Sequence, residues 1–340
     1  MPYQPPFTIT PQIINPIAAI AHQLSRLKEL NPSPQLRKQN RIHTIQATLA
    51  IEGNTLSQAQ ITAILEGKRI LGPPREISEV QGAIRAYEAL PTWQPSSETD
   101  LLTAHRYLMG NILTNAGKFR RTQVGIHKAD KVVHVAPPAN RVPLLMSDLL
   151  HWLDQTEAHA LIKSSVFHYA LEFIHPFMDG NGRMGRLWQT LILGRWNPLF
   201  FLLPIESLIK DEQDRYYQAL EQADQAADST VFIEFMLDII AQALTQATPQ
   251  TDPESDQVTD QATGQAGDQA GDQVADPVQK LLAVMDNDYF TTQTLMERLG
   301  LSHRPTFRKN YLLPALAAGL IEMKYPNKPR SPKQQYRKTD

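Results

Sequence analysis

The sequence predicts a mainly α-helical protein with one short β-hairpin near its centre and a smaller domain at its C-terminal end. Three observations support this fold class. Apolar residues recur at helical spacing through most of the first 245 residues. β-Branched residues cluster on either side of a turn at 121–136. The composition then changes sharply, and a length of 340 residues suits two domains with a proper core.

Composition narrows the class of protein. The formal net charge is −2, and the chain has no cysteine, so disulfide frameworks and thiolate metal sites are excluded. The first ten residues lack the basic and apolar regions of a secretory signal peptide. No uninterrupted run of about 18 apolar residues occurs, so we expect no membrane span. These features together predict a cytoplasmic protein.

The helical elements follow one another with short connections. Ile162, Val166 and Tyr169 share one helical face, and the apolar segment at 187–193 predicts a buried helix after it. The β-branched residues at 121–136 predict the one hairpin of this part. Further helical patterns lie near 14–30, 36–52, 57–67, 76–90, 98–113, 140–154, 206–226 and 230–246.

The C-terminal part has two different compositions. Residues 247–276 are Gln, Asp, Ala, Gly and Thr with almost nothing large and apolar, which predicts a flexible acidic linker. Residues 280–340 carry eleven Lys or Arg and five Asp or Glu, an excess of six positive charges (11 − 5). Three helices followed by a strand, a basic turn and a strand predict a winged-helix domain at 277–340. The helical patterns there lie at 277–286, 291–299 and 304–319.

The segment HPFMDGNGRMGR, residues 175–186, concentrates polar and flexible residues directly after an apolar helix. Its GNGRMG part fits the glycine pattern of dinucleotide-binding proteins. That fingerprint needs a preceding strand and an acidic residue about 20 positions later. Here a helix precedes it, and no acidic residue occurs between Gly182 and Glu206. A calcium loop is also excluded, because Arg183 stands where a third oxygen ligand belongs and no closing Glu follows.

An anion cradle explains the segment better. Glycines allow backbone N–H groups to turn toward a ligand, and the following helix adds its positive end. Arg183 and Arg186 are three positions apart on that helix, so both can face the same anion. Asp179 can hold a divalent cation that bridges phosphates, and His175 can accept a proton from a hydroxyl. These groups together predict phosphoryl or nucleotidyl transfer.

The segment resembles the signature of the Fic-domain family, H-P-F-x-[DE]-G-N-G-R-x-x-R, at every fixed position. The resemblance covers roughly residues 40–245, with a looser likeness to the winged-helix tails of some members. It implies a Fic-type helical catalytic core at 96–246 behind an N-terminal helical region at 1–95. The implied activity is transfer of AMP from ATP to a Ser, Thr or Tyr hydroxyl of a target protein or of the chain itself, with Mg²⁺.

The resemblance also implies a role for each residue of the segment. His175 would be the base, Asp179 would bind Mg²⁺, and Arg186 would meet the γ-phosphate. The Doc-type kinase branch has a lysine at the aspartate position, so Asp179 favours AMP transfer over phosphorylation. The implied ATP-binding positions of the segment are Asp179, Gly180, Asn181, Gly182, Arg183, Met184, Gly185 and Arg186.

Two other segments resemble parts of the same family. The hairpin at 121–136, with GKFR at 117–120 before it, resembles the flap on which a target protein docks as an added strand. RYYQAL resembles the segment whose tyrosines line the adenine pocket, which selects Tyr216 and Tyr217. Seven residues after the second tyrosine, members often carry asparagine, and this chain has Asp224 there. The flap residues beside the nucleotide would be Val132, Val133, His134 and Val135.

A further motif precedes the core. In TLAIEGN, residues 48–54, Thr48 and Glu52 have helical i, i+4 spacing, and Gly53 is placed to end the helix. The motif resembles the family's inhibitory motif, [ST]-x-x-x-E-[GN], on an N-terminal helix, here at about 36–53. We expect Glu52 to form a bidentate ion pair with Arg186 and so to leave ATP misplaced.

Other functions stay open on the sequence alone. Family members with this glutamate can hydrolyse AMP from a modified target, with the glutamate positioning water. A second alternative is a DNA-binding regulator whose Fic core is vestigial, since the basic winged helix could bind DNA or a protein partner. The resemblance also favours a homodimer.

Overall fold

The computed structural model describes residues 3–27, 34–128, 131–247, 276–285, 288–299, 307–317, 320–325 and 334–339, and of residues 125–135 it describes the backbone alone. The chain divides into two units, Met1–Pro253 and Glu254–Asp340. Most of the predicted linker, residues 248–275, lies outside the described residues.

The first unit is built around a central pair of antiparallel helices, α7 and α8. Most residues of the two are buried. Helix α7 is apolar around most of its circumference, whereas α8 also buries polar residues, such as Arg186 and Gln189, that are bonded within the core. The other helices pack around this pair, and α2 lies against both α8 and α9. The helices are α1 (Pro11–Leu27), α2 (Pro34–Ile51), α3 (Gln58–Leu65), α4 (Pro74–Ala89), α5 (Glu98–Met109), α6 (Val142–Gln155), α7 (Ala160–Ile174), α8 (Asn181–Trp196), α9 (Ile205–Asp211), α10 (Gln213–Ala226) and α11 (Thr230–Ala247).

The local sequence explains several helix ends. Ser57 and Gln60 form a reciprocal capping box at the start of α3. Ser97 caps α5, whose first turn is acidic, as the helix dipole favours. The prediction of a single helix at 206–226 is wrong, because the helix is interrupted at Glu212, between α9 and α10. The break lets α9 lie along α2 while α10 packs on α11.

The predicted hairpin is present, and it is shorter than expected. Its strands are β1 (Gly125–Lys128) and β2 (Lys131–Val135), which pair antiparallel with a shift of register between Ile126 and His127. β1 and β2 form a sheet of two strands. Each strand therefore keeps one edge that is not paired within this sheet.

Helix α11 is the one helix among the described residues that is long and apolar enough to cross a membrane. It carries Glu234 and Asp238, so it is not an uninterrupted apolar run. Half of it is buried in the first unit, where it packs against α1, α7 and α10. A core helix passes the same test of length and composition, and α11 has the packing of a core helix.

The second unit has its own small core and a three-stranded sheet. Leu281, Leu295, Phe307 and Ala315 are fully buried in it. The sheet has the order β3-β5-β4, with both pairs antiparallel. The sequence analysis predicted two of its strands and missed β3, which has only two residues. The elements are α12 (Asp276–Ala283), β3 (Phe290–Thr291), α13 (Thr292–Arg298), a π-helical turn (Arg308–Leu312), α14 (Leu313–Ala317), β4 (Ile321–Met323) and β5 (Gln335–Lys338).

Candidate active site

The loop between α7 and α8 is held in one conformation by its own residues. His175 ends α7 with a left-handed backbone (φ 51°, ψ 60°), which is uncommon for a residue other than glycine. Gly180 begins α8 at φ 87°, where a β-carbon would lie 3.0 Å from Met109. The buried Asn181 side chain bonds both the N–H and the carbonyl of Phe177, each at 2.9 Å. These contacts within the chain hold the loop in this conformation.

The side chain of His105, on α5, packs against this loop and forms a hydrogen bond with its backbone. Its ring stacks on Phe177 at 3.8 Å between centroids. The N–H of Gly117 donates to Nδ1 at 2.8 Å, so Nε2 carries the proton and donates to the Asp179 carbonyl at 3.0 Å. Burial lowers the pKa of His105 to about 4, which keeps the ring neutral. A lone histidine on an apolar helix gives no local signal of this role, and His105 is absent from the predicted site.

Arg120, the last residue of GKFR, joins the loop to the hairpin. The side chain is almost fully buried. It donates to the carbonyls of His175 at 2.7 Å and Ile174 at 3.2 Å. It also donates to the carbonyls of Thr122 at 3.0 Å and Pro137 at 2.6 Å, which flank the hairpin. One guanidinium therefore fixes the position of the hairpin relative to the backbone of His175.

The imidazole of His175 is partly exposed at the mouth of the loop. Its Nδ1 lies 3.4 Å from the carbonyl oxygen of Glu172. A carbonyl only accepts, so this contact requires the proton on Nδ1. In this tautomer Nε2 is the ring nitrogen that carries the lone pair.

Asp179 and Arg183 form an ion-pair network with α4. Arg183 is buried and lies 3.0 Å from Asp179 Oδ1 and 3.5 Å from Glu79 Oε1. Arg75 lies 3.0 Å from the other oxygen of Asp179, Oδ2. Arg183 turns toward the acids of the loop and of α4, and the predicted anion shared by Arg183 and Arg186 stays a prediction.

The chemistry of Asp179 fits a Mg²⁺ ion that arrives with phosphates. Its side chain is 36 % exposed at the surface of the loop. Mg²⁺ is usually bound in nucleotide sites by one or two carboxylates together with substrate phosphates. Among the described residues no three His, Asp or Glu side chains converge to form a metal cage. Asp179 therefore suits a cation carried by a nucleotide rather than an ion held by protein ligands alone.

Arg186 is bound by the end of α2, as the inhibitory motif predicted. Its side chain is 1 % exposed, and its Nη2 lies 2.6 Å from Glu52 Oε1. Nε donates to Thr48 Oγ1 at 3.0 Å, and Nη2 also donates to the Thr48 carbonyl at 3.1 Å. The expected bidentate pair is therefore wrong. Thr48 takes part of the guanidinium fork, and Glu52 uses one oxygen.

The same guanidinium lies beside a second acid. A β-carbon at Gly182 would be 2.5 Å from Glu52 Oε1, 3.1 Å from Arg186 Nη1 and 3.4 Å from Glu172 Oε1. Burial raises the pKa of Glu172 to about 7, although Arg186 opposes the shift. Burial also opposes the charge of Arg186, but Glu52 and the neighbouring acid raise its pKa above the ordinary value.

Two glycines and a methionine of the segment, Gly182, Gly185 and Met184, have packing roles that the sequence pattern did not reveal. Gly182 leaves room for the carboxylate of Glu52, as the short distance to a β-carbon shows. A β-carbon at Gly185 would lie 2.5 Å from the ring of the buried His168. The side chain of Met184 is fully buried in the core. Met184 can therefore meet a nucleotide only through its backbone.

The two predicted adenine-pocket tyrosines have different environments. Tyr216 is 1 % exposed, bonds His168 at 3.0 Å and packs among aromatic rings, so it forms part of the core. Tyr217 keeps an exposed ring. Asp224, where family members often have asparagine, accepts a hydrogen bond from Tyr169 at 3.0 Å.

The residues Val132 to Val135 lie in β2. Ile126 pairs with His134, and His127 pairs with Val132. The hairpin thus presents an extended backbone at the position where Arg120 connects it to His175.

The helical core with this loop defines a class of protein. The profile of the Fic/DOC family matches residues 95–193, and that of the Filamentation induced by cAMP protein Fic-like, C-terminal domain, matches residues 276–339. The chain is 49 % identical to a Fic family protein of Desulfovibrio desulfuricans G20 whose crystal structure is known. The two superpose with a TM-score of 0.71 over 99 % of this chain and 98 % of that one. The chain belongs to the Fic family.

Curated relatives carry a named activity. The protein adenylyltransferase Fic of Drosophila grimshawi is 30 % identical over 224 residues, which are 63 % of this chain and 44 % of that protein. The protein adenylyltransferase fic-1 of Caenorhabditis briggsae is 35 % identical over 201 residues, 56 % of this chain and 38 % of that protein. The chain therefore spans less than half the length of these relatives.

Proposed function

We propose that this chain is a protein adenylyltransferase that moves AMP from ATP to hydroxyl groups of a target protein and of itself. One observation carries the proposal: the segment from His175 to Arg186 forms a loop and the first turns of α8, and its conformation is held by bonds within the chain. The adenylyltransferase names of the relatives support the same reaction.

The proposed reaction gives each of these groups a role. Nε2 of His175 accepts the proton of the attacking hydroxyl, and the oxygen forms a bond to the α-phosphorus of ATP. The bond from that phosphorus to the bridging oxygen breaks, and pyrophosphate leaves with the electron pair. Asp179 would hold Mg²⁺, which neutralises charge on the phosphates. Backbone N–H groups at the start of α8 stabilise the same negative charge.

Autoinhibition by Glu52 belongs to the same proposal. Arg186 is the arginine that would meet the γ-phosphate, and Glu52 and Thr48 hold its guanidinium. While that contact persists, the γ-phosphate lacks its partner and the α-phosphate is poorly aligned for in-line attack. Release of the end of α2 would allow transfer.

The target protein is proposed to dock on the hairpin. An extended segment of the target can add to the free edge of a two-stranded sheet through main-chain hydrogen bonds. Val132 to Val135 would then lie beside the acceptor hydroxyl and the nucleotide. On the adenine side, the exposed ring of Tyr217 is the better placed of the two tyrosines.

Mass spectrometry of the purified chain after incubation with ATP and Mg²⁺ tests this function. We expect a peptide that carries AMP on a Ser, Thr or Tyr hydroxyl, and we expect Arg186→Ala to suppress it. A phosphate adduct would instead show kinase chemistry. An unmodified chain that also fails to label any protein of a cell lysate would contradict the proposal.

Removal of AMP is a second candidate activity. Glu52 Oε1 lies close to Gly182 in the first turn of α8, and the Glu52 side chain is 31 % exposed. A carboxylate there can orient water toward a phosphodiester. Release of AMP from a labelled target by the wild type, and its loss in Glu52→Ala, would support this activity.

We infer that the second unit is a winged helix that binds a partner rich in phosphate, such as DNA. The order of helices and strands and the strand order β3-β5-β4 support the winged helix, and the excess of six positive charges supports the partner. Salt-sensitive binding of mixed DNA by residues 277–340 would agree with this inference, and binding of proteins alone would contradict it. A homodimer and a cytoplasmic location also remain proposals.

A further inference from the structure

Two arginines contact Asp179, the residue predicted to bind the cation: Arg183 and also Arg75. Arg75, in the first turn of α4, places Nη2 3.0 Å from Asp179 Oδ2. Arg183 places its own Nη2 3.0 Å from Oδ1. Each oxygen of the carboxylate that would receive Mg²⁺ therefore faces a guanidinium. A positive group in this place is a chemical substitute for the cation.

We propose that Arg75 is a displaceable plug of the cation site, so that a divalent cation binds Asp179 only as Arg75 releases it. This inference rests on the proposed function, because it takes Asp179 as the metal ligand. It adds a second brake, which acts on the metal side of the site and is distinct from the contact between Glu52 and Arg186.

The two arginines differ in how firmly they are held. The Arg183 side chain is 4 % exposed and is fixed between Asp179 and the nearly buried Glu79. The Arg75 side chain is 64 % exposed, and its other ion pair is a longer contact, 3.4 Å from Nε to Glu79 Oε1. Arg75 can therefore leave Asp179 at small cost and stay near Glu79, whereas Arg183 cannot move without disturbing the core.

The turn of α4 that carries Arg75 is also bonded to the segment after the inhibitory helix. The N–H of Thr55 donates to Glu76 Oε2 at 2.7 Å. Asn54 Nδ2 donates to Glu79 Oε2 at 2.9 Å. Because Glu79 contacts both arginines, withdrawal of this segment would loosen the groups that place Arg75. The contact of Glu52 with Arg186 and the contact of Arg75 with Asp179 are thus connected through the residues at the start of α4.

The test is a titration of Mn²⁺, followed by electron paramagnetic resonance, into the full chain saturated with a non-hydrolysable ATP analogue. We expect Arg75→Gln to raise the affinity for Mn²⁺ about two- to five-fold, the range that exposed ion pairs give. The matched control is Arg85→Gln. It removes the same charge from the same helix about 15 Å further along the axis, and it should leave the affinity unchanged.

The outcomes separate this inference from the proposed function. Unchanged or weaker Mn²⁺ binding in Arg75→Gln would overturn the plug, and weaker binding would make Arg75 a phosphate ligand. A gain of equal size in Arg85→Gln would also overturn it, because the effect would then be one of net charge. If Asp179→Asn bound Mn²⁺ as well as the wild type does, the metal-site assignment and the inference would both fail. If Asp179→Asn weakened the binding of Mn²⁺ and Arg75→Gln left it unchanged, the inference alone would fail.

Discussion

Replacing Glu52 by alanine tests how the end of α2 controls Arg186. The change removes the carboxylate that lies 2.6 Å from Arg186 Nη2. Alanine is preferable to glycine here, because Glu52 directly follows α2, and two successive glycines at 52 and 53 would also loosen the backbone there. The two hydrogen bonds from Arg186 to Thr48 remain, so the variant isolates the contribution of the charge.

The size of the effect follows from burial. A hydrogen bond to a charged group contributes about 1.5–3 kcal/mol to the state that contains it. Arg186 is 1 % exposed and Glu52 is 31 % exposed, so the lower half of this range applies. Removing the contact should therefore raise the rate of self-labelling about 12- to 40-fold.

The assay is incorporation of label from ATP that is radioactive at the α-phosphate, at saturating nucleotide. Glu52→Gln is the matched variant, because it keeps the shape and one acceptor and loses the charge; its rate should be intermediate. Glu52→Ala combined with Arg186→Ala should be nearly inactive. If Glu52→Ala is folded, binds ATP and labels no faster than the wild type, the contact with Arg186 is not a brake.

Three other changes have defined outcomes. His175→Asn, chosen because asparagine tolerates a left-handed backbone, should lower labelling by about 10²- to 10⁴-fold at unchanged stability, and labelling at the wild-type rate would remove His175 from the mechanism. Glu172 has a pKa raised from 4.5 to about 7, so its contribution to stability is complete below pH 4.5 and is lost as the pH rises through 7. Glu172→Gln should therefore be more stable than the wild type at pH 8, by up to about 3 kcal/mol, with no such gain at pH 4.5, and equal melting curves at pH 8 would contradict this. A chain that ends at residue 253 should label itself as the full chain does, and loss of labelling with an intact fold would give the second unit a role in catalysis.

Much of the fold could be predicted because its signals are local. The apolar residues of α7 and α8 predict two central helices, and the motif at 175–186, which joins them, predicts a candidate site of twelve residues. The break at Glu212 could not be predicted, because helical spacing continues across it. Only the packing of α9 on α2 requires the chain to turn there.

The sequence by itself predicted the candidate site residues that are neighbours along the chain, from His175 to Arg186, and the resemblance of TLAIEGN to the family's inhibitory motif selected Thr48 and Glu52. The tertiary structure decided which partners these residues have. Arg186 and Glu52 are 134 positions apart, and Arg75 and Asp179 are 104 positions apart. Such contacts depend on how helices pack and which way each side chain turns. A periodic pattern fixes the face of a helix, but it does not fix the group that the face meets.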